Sequence, residues 1–315
     1  MKILFMGTSE FAVPILQALH EHFEIVGVLT QPDRPKGRRR KREPSPIKIE
    51  AEKLGLHVHQ PQNLSQAFED YRFPVDFIVT AAYGQKVPRA LLDHPRFEAL
   101  NVHASLLPKY RGAAPITRAI EEGAQETGVS IMRMVGKMDA GPIFKQTSLP
   151  LSGKETKGML EKRLSQLGAQ SLLWTINAIA KESLKPEPQS EKEATYAHKV
   201  GKKDTLLSFD EPASTIERKI RAHNPTPGAY FLYNDQPFKV FSAKIVEGSN
   251  APAGQVITRL KNEVHIQTEM GALSLLEVQA AGKKRMDIAS YLNGAGRNAF
   301  QKGETIASNR EKSVN

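Results

Sequence analysis

Three side chains carry the chemistry this sequence suggests. Asn101 and His103 stand two positions apart in the run Asn101-Val102-His103-Ala104-Ser105-Leu106-Leu107-Pro108. At the end of an extended strand, residues two apart point to the same side. An amide and an imidazole aimed at one carbonyl are suited to stabilising an oxyanion as it forms. Taken alone, the pair reads as a hydrogen-bonded strand terminus. Downstream, the glycine-bounded loop Gly136-Lys137-Met138-Asp139-Ala140-Gly141-Pro142 places one carboxylate between two strand signals. A carboxylate beside a histidine can orient the ring, and it can take a proton from an attacking amine. Asn101, His103 and Asp139 at neighbouring strand ends make an acyl-transfer site.

An α/β framework is expected to position them. Strand signals at Ile3–Met6, Ile25–Thr30, Val75–Thr80, Ala99–His103, Val129–Met134 and Ile143–Leu149 are interleaved with helical patterns. One helix is capped by Ser9 and runs to about His22. One starts at Ser45-Pro46, one spans Pro115–Glu122, and a long one covers Thr156–Lys181. That alternation predicts a Rossmann-like, doubly wound, mostly parallel sheet, which binds ligands at the carboxyl ends of its strands. Gly7-Thr8-Ser9 after the first strand lacks the G-x-G-x-x-G fingerprint, so it reads as a structural turn and argues against a nicotinamide-dependent dehydrogenase. Residues 182–203, proline-rich and charged, read as a linker. A helix at Ala213–Ala222 and five short, partly alternating strands then predict a small β-barrel or sandwich over 204–315, after a first domain at 1–181.

Charge is the third signal. The 315 residues carry 44 Lys+Arg against 34 Asp+Glu, a net +10. Residues 33–42 alone hold +6, from Arg34, Lys36, Arg38, Arg39, Arg40, Lys41 and Arg42 against Asp33. The rest of the first 200 residues sums to zero. Prolines 32, 35, 44 and 46 surround the run, so neither helix nor strand is expected in the basic loop 33–46. Its density of arginine favours nucleic-acid phosphate over an idle solvated loop. Lys283, Lys284 and Arg285 form a smaller cluster.

Several classes fall away. With no cysteine there are no disulfides, thiolate nucleophiles or Cys-ligated metals. His57 and His59 sit two apart with no third ligand nearby and read as exposed strand residues, so no metal is expected. No stretch reaches the roughly 18 apolar residues of a membrane helix, and the N-terminus does not read as a signal peptide. A cytoplasmic protein with no membrane partner is expected.

Ser105-Leu106-Leu107-Pro108 followed by Lys109-Tyr110-Arg111-Gly112-Ala113-Ala114-Pro115-Ile116 resembles the signature of the 10-formyltetrahydrofolate-dependent formyltransferases. Supporting segments run through the chain, including Phe5–Ala12, Gln31–Pro35, Ala82–Gln85, Glu126–Met132, Arg221–Pro225 and Gly282–Lys284. The first turn, the basic loop and the C-terminal part are similar to the branch of that family that acts on charged tRNA. The resemblance implies an enzyme that moves the formyl group of 10-formyltetrahydrofolate to the α-amine of methionine on initiator tRNA, for translation initiation. It implies catalytic roles for Asn101, His103 and Asp139. Folate would lie along Ser105, Leu106, Leu107 and Pro108, with Tyr83, Val87, Gly136 and Gly141 around its pteridine. The basic loop would meet the acceptor end of the tRNA, with Arg42 the residue for discrimination. An oligonucleotide-binding (OB-like) barrel carrying Lys283, Lys284 and Arg285 would hold the inner face, and the enzyme would act as a monomer. The chain departs from the family in having Phe209, and no aromatic within Asn224–Gly228, where tryptophans are frequent. Its one tryptophan is Trp174. A formyltransferase acting on glycinamide ribonucleotide or a sugar nucleotide would share the three catalytic residues but not the basic loop. A nucleic-acid-binding protein would explain the loop but not Asn101, His103 and Asp139.

Overall fold

The structure is a computed structural model that describes residues 1–36 and 41–306. Two compact units are present. The first comprises Met1–Pro115, Glu126–Pro150 and Leu160–His198; the second comprises Ile116–Gln125, Leu151–Met159 and the chain from Lys199 onward.

The first unit is built on β1 (Lys2–Gly7), α1 (Val13–His22), β2 (Glu24–Leu29), the short strands β3 (Arg34–Lys36) and β4 (Lys41–Glu43), α2 (Pro46–Lys53), β5 (Val58–His59), α3 (Leu64–Ala67), β6 (Phe77–Ala81), α4 (Arg89–Leu92) and β7 (Glu98–His103). After α5 (Pro115–Glu122) come β8 (Glu126–Arg133), β9 (Ile143–Pro150) and the long α6 (Lys157–Ala180). The main sheet has the order β5-β2-β1-β6-β7-β8-β9. Pairing is parallel from β5 through β7 and antiparallel for β7–β8 and β8–β9. The mostly parallel, doubly wound expectation holds. β6 is buried at every position, as a central strand covered on both faces must be. The strand order reverses between β1 and β6, so a crevice is expected beyond their carboxyl ends and that of β7. Gly168 lets α6 approach β7 closely, because a Cβ there would sit 2.8 Å from Val102 Cγ1. The face of β7 that carries Val102 is thus fixed by packing, and Asn101 and His103 are left for the other.

Three expectations change in this unit. Ser9 does not cap α1 with its side chain; residues 10–12 form a single 3-10 turn first, and α1 begins at Val13 with Pro14 in its first turn. The basic loop is not structureless: β3 and β4 pair antiparallel with Arg34 opposite Glu43 and Pro35 opposite Arg42. A two-stranded ribbon has only edges, and an edge tolerates proline. Arg38, Arg39 and Arg40 lie outside the described residues. His59 is not simply exposed: its ring packs against Tyr71 and Phe73 at 5.3 and 5.8 Å. Burial, and secondarily the charge of His57, pushes its pKa down.

The segment expected as a linker behaves differently along its length. Residues 187–197 are hydrogen-bonded within the first unit: Glu187 pairs with Ile143, Arg111 with Thr195, and Ala197 with Arg111 and Ala114. The second unit begins at Lys199 and also takes in 116–125, where Arg118 Nη2 meets Asp204 at 3.1 Å and Arg218 Nε donates to the Glu121 carbonyl at 2.9 Å. It contains α7 (Ala213–Ala222), β10 (Ala229–Tyr233), β11 (Gln236–Val246), β12 (Val256–Arg259), β13 (Val264–Gln267), β14 (Ala272–Gln279), β15 (Met286–Asp287) and α8 (Ile288–Asn293). These strands form an antiparallel sheet in the order β10-β11-β14-β13-β12, with β15 on β14. Phe209 packs edge-on against Phe231 at 5.3 Å in its core, the packing role an aromatic there should have. No helix among the described residues is long and apolar enough to cross a membrane.

Candidate active site

The structure brings Asn101, His103 and Asp139 together. Asn101 and His103 lie at the carboxyl end of β7, where Asn101 is in register with Thr80 of β6 and Met132 of β8, and His103 with Ser130. Thr80 Oγ1 donates to Asn101 Oδ1 at 2.8 Å. That bond consumes the amide oxygen and turns Nδ2 outward, where it stands 3.5 Å from Asp139 Oδ1. His103 is 6% exposed. Its Nε2 lies 2.9 Å from the Tyr110 carbonyl, which can only accept, so Nε2 carries a hydrogen and Nδ1 is the atom left to face Asp139 Oδ2, at 3.7 Å. Asp139 adopts φ 48°, and its Oδ2 accepts from the Gly112 N–H at 2.9 Å. Each of the three side chains is therefore oriented by a partner the motif alone did not assign: Thr80, Tyr110 and Gly112.

Gly112 has the strictest requirement. Its φ is 120°, and a Cβ there would meet the Ala197 carbonyl oxygen at 2.7 Å. The residue stands within the family signature. Its function, delivering one backbone N–H to a carboxylate 27 positions away, depends on a contact that sequence spacing does not reveal.

The residues expected to hold folate divide into four pairs. Ser105 and Leu107 are buried and shape the turn: Ser105 Oγ donates to the Lys109 carbonyl at 2.6 Å, and Ser130 Oγ ties the Ser105 carbonyl to the Leu107 N–H. Leu106 and Pro108 are half-buried, and Leu106 lies over Gly128, where a Cβ would come within 2.5 Å of its Cδ2. Tyr83 and Val87 belong to the hydrophobic cluster with Leu4, Met6 and Leu29. The Tyr83 hydroxyl is buried without a partner, and burial first, then Tyr71, pushes its pKa up. Gly136 borders open space, whereas Gly141 abuts the Arg133 carbonyl.

The basic residues also divide. Arg34 and Arg42 are exposed and help line an open polar depression of about 410 Å³ with Gln31, Pro32, Asp33, Gln60 and Gln62. The ribbon is anchored at its base. Asp33 accepts from Gln60 at 2.7 Å and Lys48 at 2.9 Å, which together hold its carboxyl below the usual range, and Arg34 Nη2 donates to Gln31 at 2.9 Å. Lys36 and Lys41 occupy facing positions on the ribbon. In the second unit Lys283 and Lys284 are exposed, but Arg285 is already engaged: it pairs with Glu277 and lies over the Phe241 ring at 4.2 Å. Among the described residues no three of His, Asp or Glu converge as metal ligands.

Known proteins are similar along nearly the whole chain. The family model described as "Formyl transferase" matches residues 1–176, and "Formyl transferase, C-terminal domain" matches residues 199–296. A protein of Macrococcus caseolyticus named methionyl-tRNA formyltransferase is 42% identical over 297 residues, 93% of this chain and 96% of the relative. Relatives of the same name from Staphylococcus epidermidis and Geobacillus thermodenitrificans are 43% and 40% identical, covering 93% and 98% of this chain and 96% and 99% of theirs. Among solved structures, HypX from Aquifex aeolicus in complex with tetrahydrofolic acid superposes with a TM-score of 0.66 at 19% identity. The match covers 96% of this chain and 48% of HypX. WlaRD, a sugar 3N-formyl transferase, gives 0.65 at 20% identity, covering 90% and 99% of the two chains. At such identities these two structures show the shared fold.

Proposed function

Because the chain belongs to the formyl transferase family, we propose that it transfers a formyl group from 10-formyltetrahydrofolate to the α-amine of methionine on initiator tRNA, for translation initiation. The observation that carries this reading is the convergence of Asn101, His103 and Asp139 at the carboxyl end of β7. Relatives at about 42% identity bear the name methionyl-tRNA formyltransferase, and the basic ribbon gives a reason for choosing tRNA over a small amine.

The donor set suits a formyl donor. The amide nitrogen of Asn101 faces Asp139 Oδ1 and the Nδ1 of His103 faces Asp139 Oδ2, and Gly136 leaves room beside the loop that carries Asp139. The bound donor would supply an activated one-carbon acyl group. Asn101 would bind the formyl oxygen, since Thr80 has fixed its amide with nitrogen outward. The proton leaving the methionine amine meets two basic groups side by side, the Nδ1 lone pair of His103 and the Asp139 carboxylate, 3.7 Å apart. With Nδ1 protonated, His103 and Asn101 present two N–H donors to the developing oxyanion, and Asp139 balances the imidazolium. Collapse of the tetrahedral centre would then break its bond to N10 of the donor, which takes the proton from His103 and leaves as tetrahydrofolate. Arg34, Lys36, Lys41 and Arg42, with Arg38–Arg40 between them in sequence, would meet acceptor-end phosphates, and Lys283 and Lys284 would add cations from the second unit. The first unit, which includes 187–197, acts as the catalytic part and the second as the tRNA-holding part of a cytoplasmic monomer.

The test is a transfer assay with 10-formyltetrahydrofolate and, separately, methionyl initiator tRNA, methionyl elongator tRNA and glycinamide ribonucleotide. Formylated product from the initiator alone is expected. Formylation of glycinamide ribonucleotide would overturn the assignment.

A further inference from the structure

Arg111 has no exposed surface, yet it carries five N–H donors and no acceptor. Its Nε and Nη2 meet Gln189 Oε1 at 3.0 and 2.8 Å, and its Nη1 meets Glu191 Oε1 at 3.0 Å. Because a guanidinium can only donate, the first two bonds decide which end of the Gln189 amide is oxygen. Its nitrogen must then point the other way, where Nε2 donates to the Asp139 carbonyl at 2.8 Å and the Gly141 carbonyl at 2.7 Å. Those carbonyls flank Ala140, in the turn that holds Asp139 at φ 48°, a conformation non-glycine residues seldom adopt without support.

We propose that Gln189, oriented by Arg111, is the positioning residue for Asp139, and that the segment 187–197 sets the distance between His103 and Asp139. This rests on the reading of those two residues as part of the formyl-transfer site. The same segment holds the opposite wall. Thr195 Oγ1 accepts from the Tyr110 N–H at 2.9 Å, the Thr195 carbonyl accepts from Arg111 N–H at 2.9 Å, and the Ala197 N–H donates to the Arg111 carbonyl at 2.7 Å. Tyr110 and Gly112, on either side of Arg111, supply the carbonyl on His103 Nε2 and the N–H on Asp139 Oδ2. One stretch of chain therefore grips both halves of the constellation, through Gln189 on the Asp139 side and through Thr195 and Ala197 on the His103 side. A purely structural account would make Arg111 a buried ion-pair partner of Glu191. Glu191, however, is 58% exposed and shared with Lys137, while the Gln189 bonds run to the turn that bears the carboxylate.

Gln189→Glu separates the two accounts. The variant keeps the oxygen that Arg111 grips and gains an ion pair with it, but it replaces the N–H donors by oxygen facing two carbonyl oxygens. In the transfer assay kcat should fall about 10- to 100-fold, the scale of a displacement near 1 Å at a reacting group. The KM values for tRNA and formyl donor should change less than about threefold. The His103 side-chain ¹⁵N resonances, assigned against His103→Asn, should shift without substrate. Gln189→Ala is the second variant should the first not fold, with the same expectations. If wild-type protein transfers formyl and a folded Gln189 variant matches its kcat, the inference is overturned. If wild-type protein transfers none, the functional reading fails, and unchanged His103 resonances in the variant would then overturn the positioning claim independently.

Discussion

At the end of β7 each functional side chain is held by a partner through one atom, which leaves another to act. Thr80 holds Asn101, Tyr110 holds His103 and Gly112 holds Asp139. The β3–β4 ribbon is organised the other way. Its backbone pairs with itself, Asp33 and Gln31 tie down its base, and Arg34 and Arg42 are exposed. The difference follows from the two tasks. Stabilising charge on one oxygen needs donors placed to a fraction of an ångström, and bonds and burial must fix those positions before the substrate arrives. Attracting a polyanion needs a number of charges within about a Debye length, about 8–10 Å in physiological salt, and little fixed geometry. Burial marks the first region and charge density the second. Arg285 shows why charge in sequence is not enough: Glu277 and Phe241 already occupy it.

The comparison is broken most directly at His103. His103→Ala should lower kcat about 10²- to 10³-fold, the usual cost of losing one oxyanion donor. Binding of methionyl-tRNA, followed by filter retention, should stay near wild type. Near-normal turnover would mean that geometry at β7 is not what catalyses transfer. Next in size is the ribbon. Replacing Arg34, Lys36, Arg38, Arg39, Arg40, Lys41 and Arg42 with serine should raise the KM for tRNA and spare kcat at saturation. The slope of log affinity against log salt should flatten by about 0.9 for each duplex phosphate that the ribbon no longer neutralises. An unchanged slope would detach the ribbon from nucleic acid. The smallest effect is expected at Ser45, whose Oγ accepts from the Lys48 N–H at 3.0 Å and shares a 2.6 Å hydrogen bond with Thr30 where the chain enters α2. Ser45→Ala should cost about 1 kcal/mol in urea unfolding and leave turnover intact. A loss of activity there would mean that the ribbon's base, as well as its charge, serves the reaction.

Much of the framework is legible in the sequence because it is local. Apolar periodicity places α6 at 156–181 against the observed Lys157–Ala180, and α7 at its observed bounds. Apart from β15 and the ribbon, the strands of both units show as short apolar or alternating runs, and the three catalytic candidates stand out by residue type and spacing. The ribbon does not show, because proline and like charge argue against a strand. A two-stranded pair with both edges free escapes that argument, since Pro35 needs no donor on its open side. The role of 187–197 does not show either, because the segment has no periodicity of its own. Its structure rests on the bonds it makes to residues 44 to 86 positions away, from Glu187–Ile143 to Ala197–Arg111.

From its sequence alone, this protein is an α/β chain with a second, strand-rich part, a charged stretch near its N-terminus and three residues fit for acyl transfer. Those properties reside in short windows, where backbone preference and side-chain chemistry are local. Which nitrogen of His103 faces Asp139, which carbonyls hold the Asp139 turn, and which arginines are already taken were decided only by the tertiary structure. Each depends on a hydrogen bond or ion pair that no residue periodicity announces, whether 7 positions away, as from His103 to Tyr110, or 50, as from Gln189 to Asp139, and a donor or acceptor is committed only when folding brings its partner within about 3 Å.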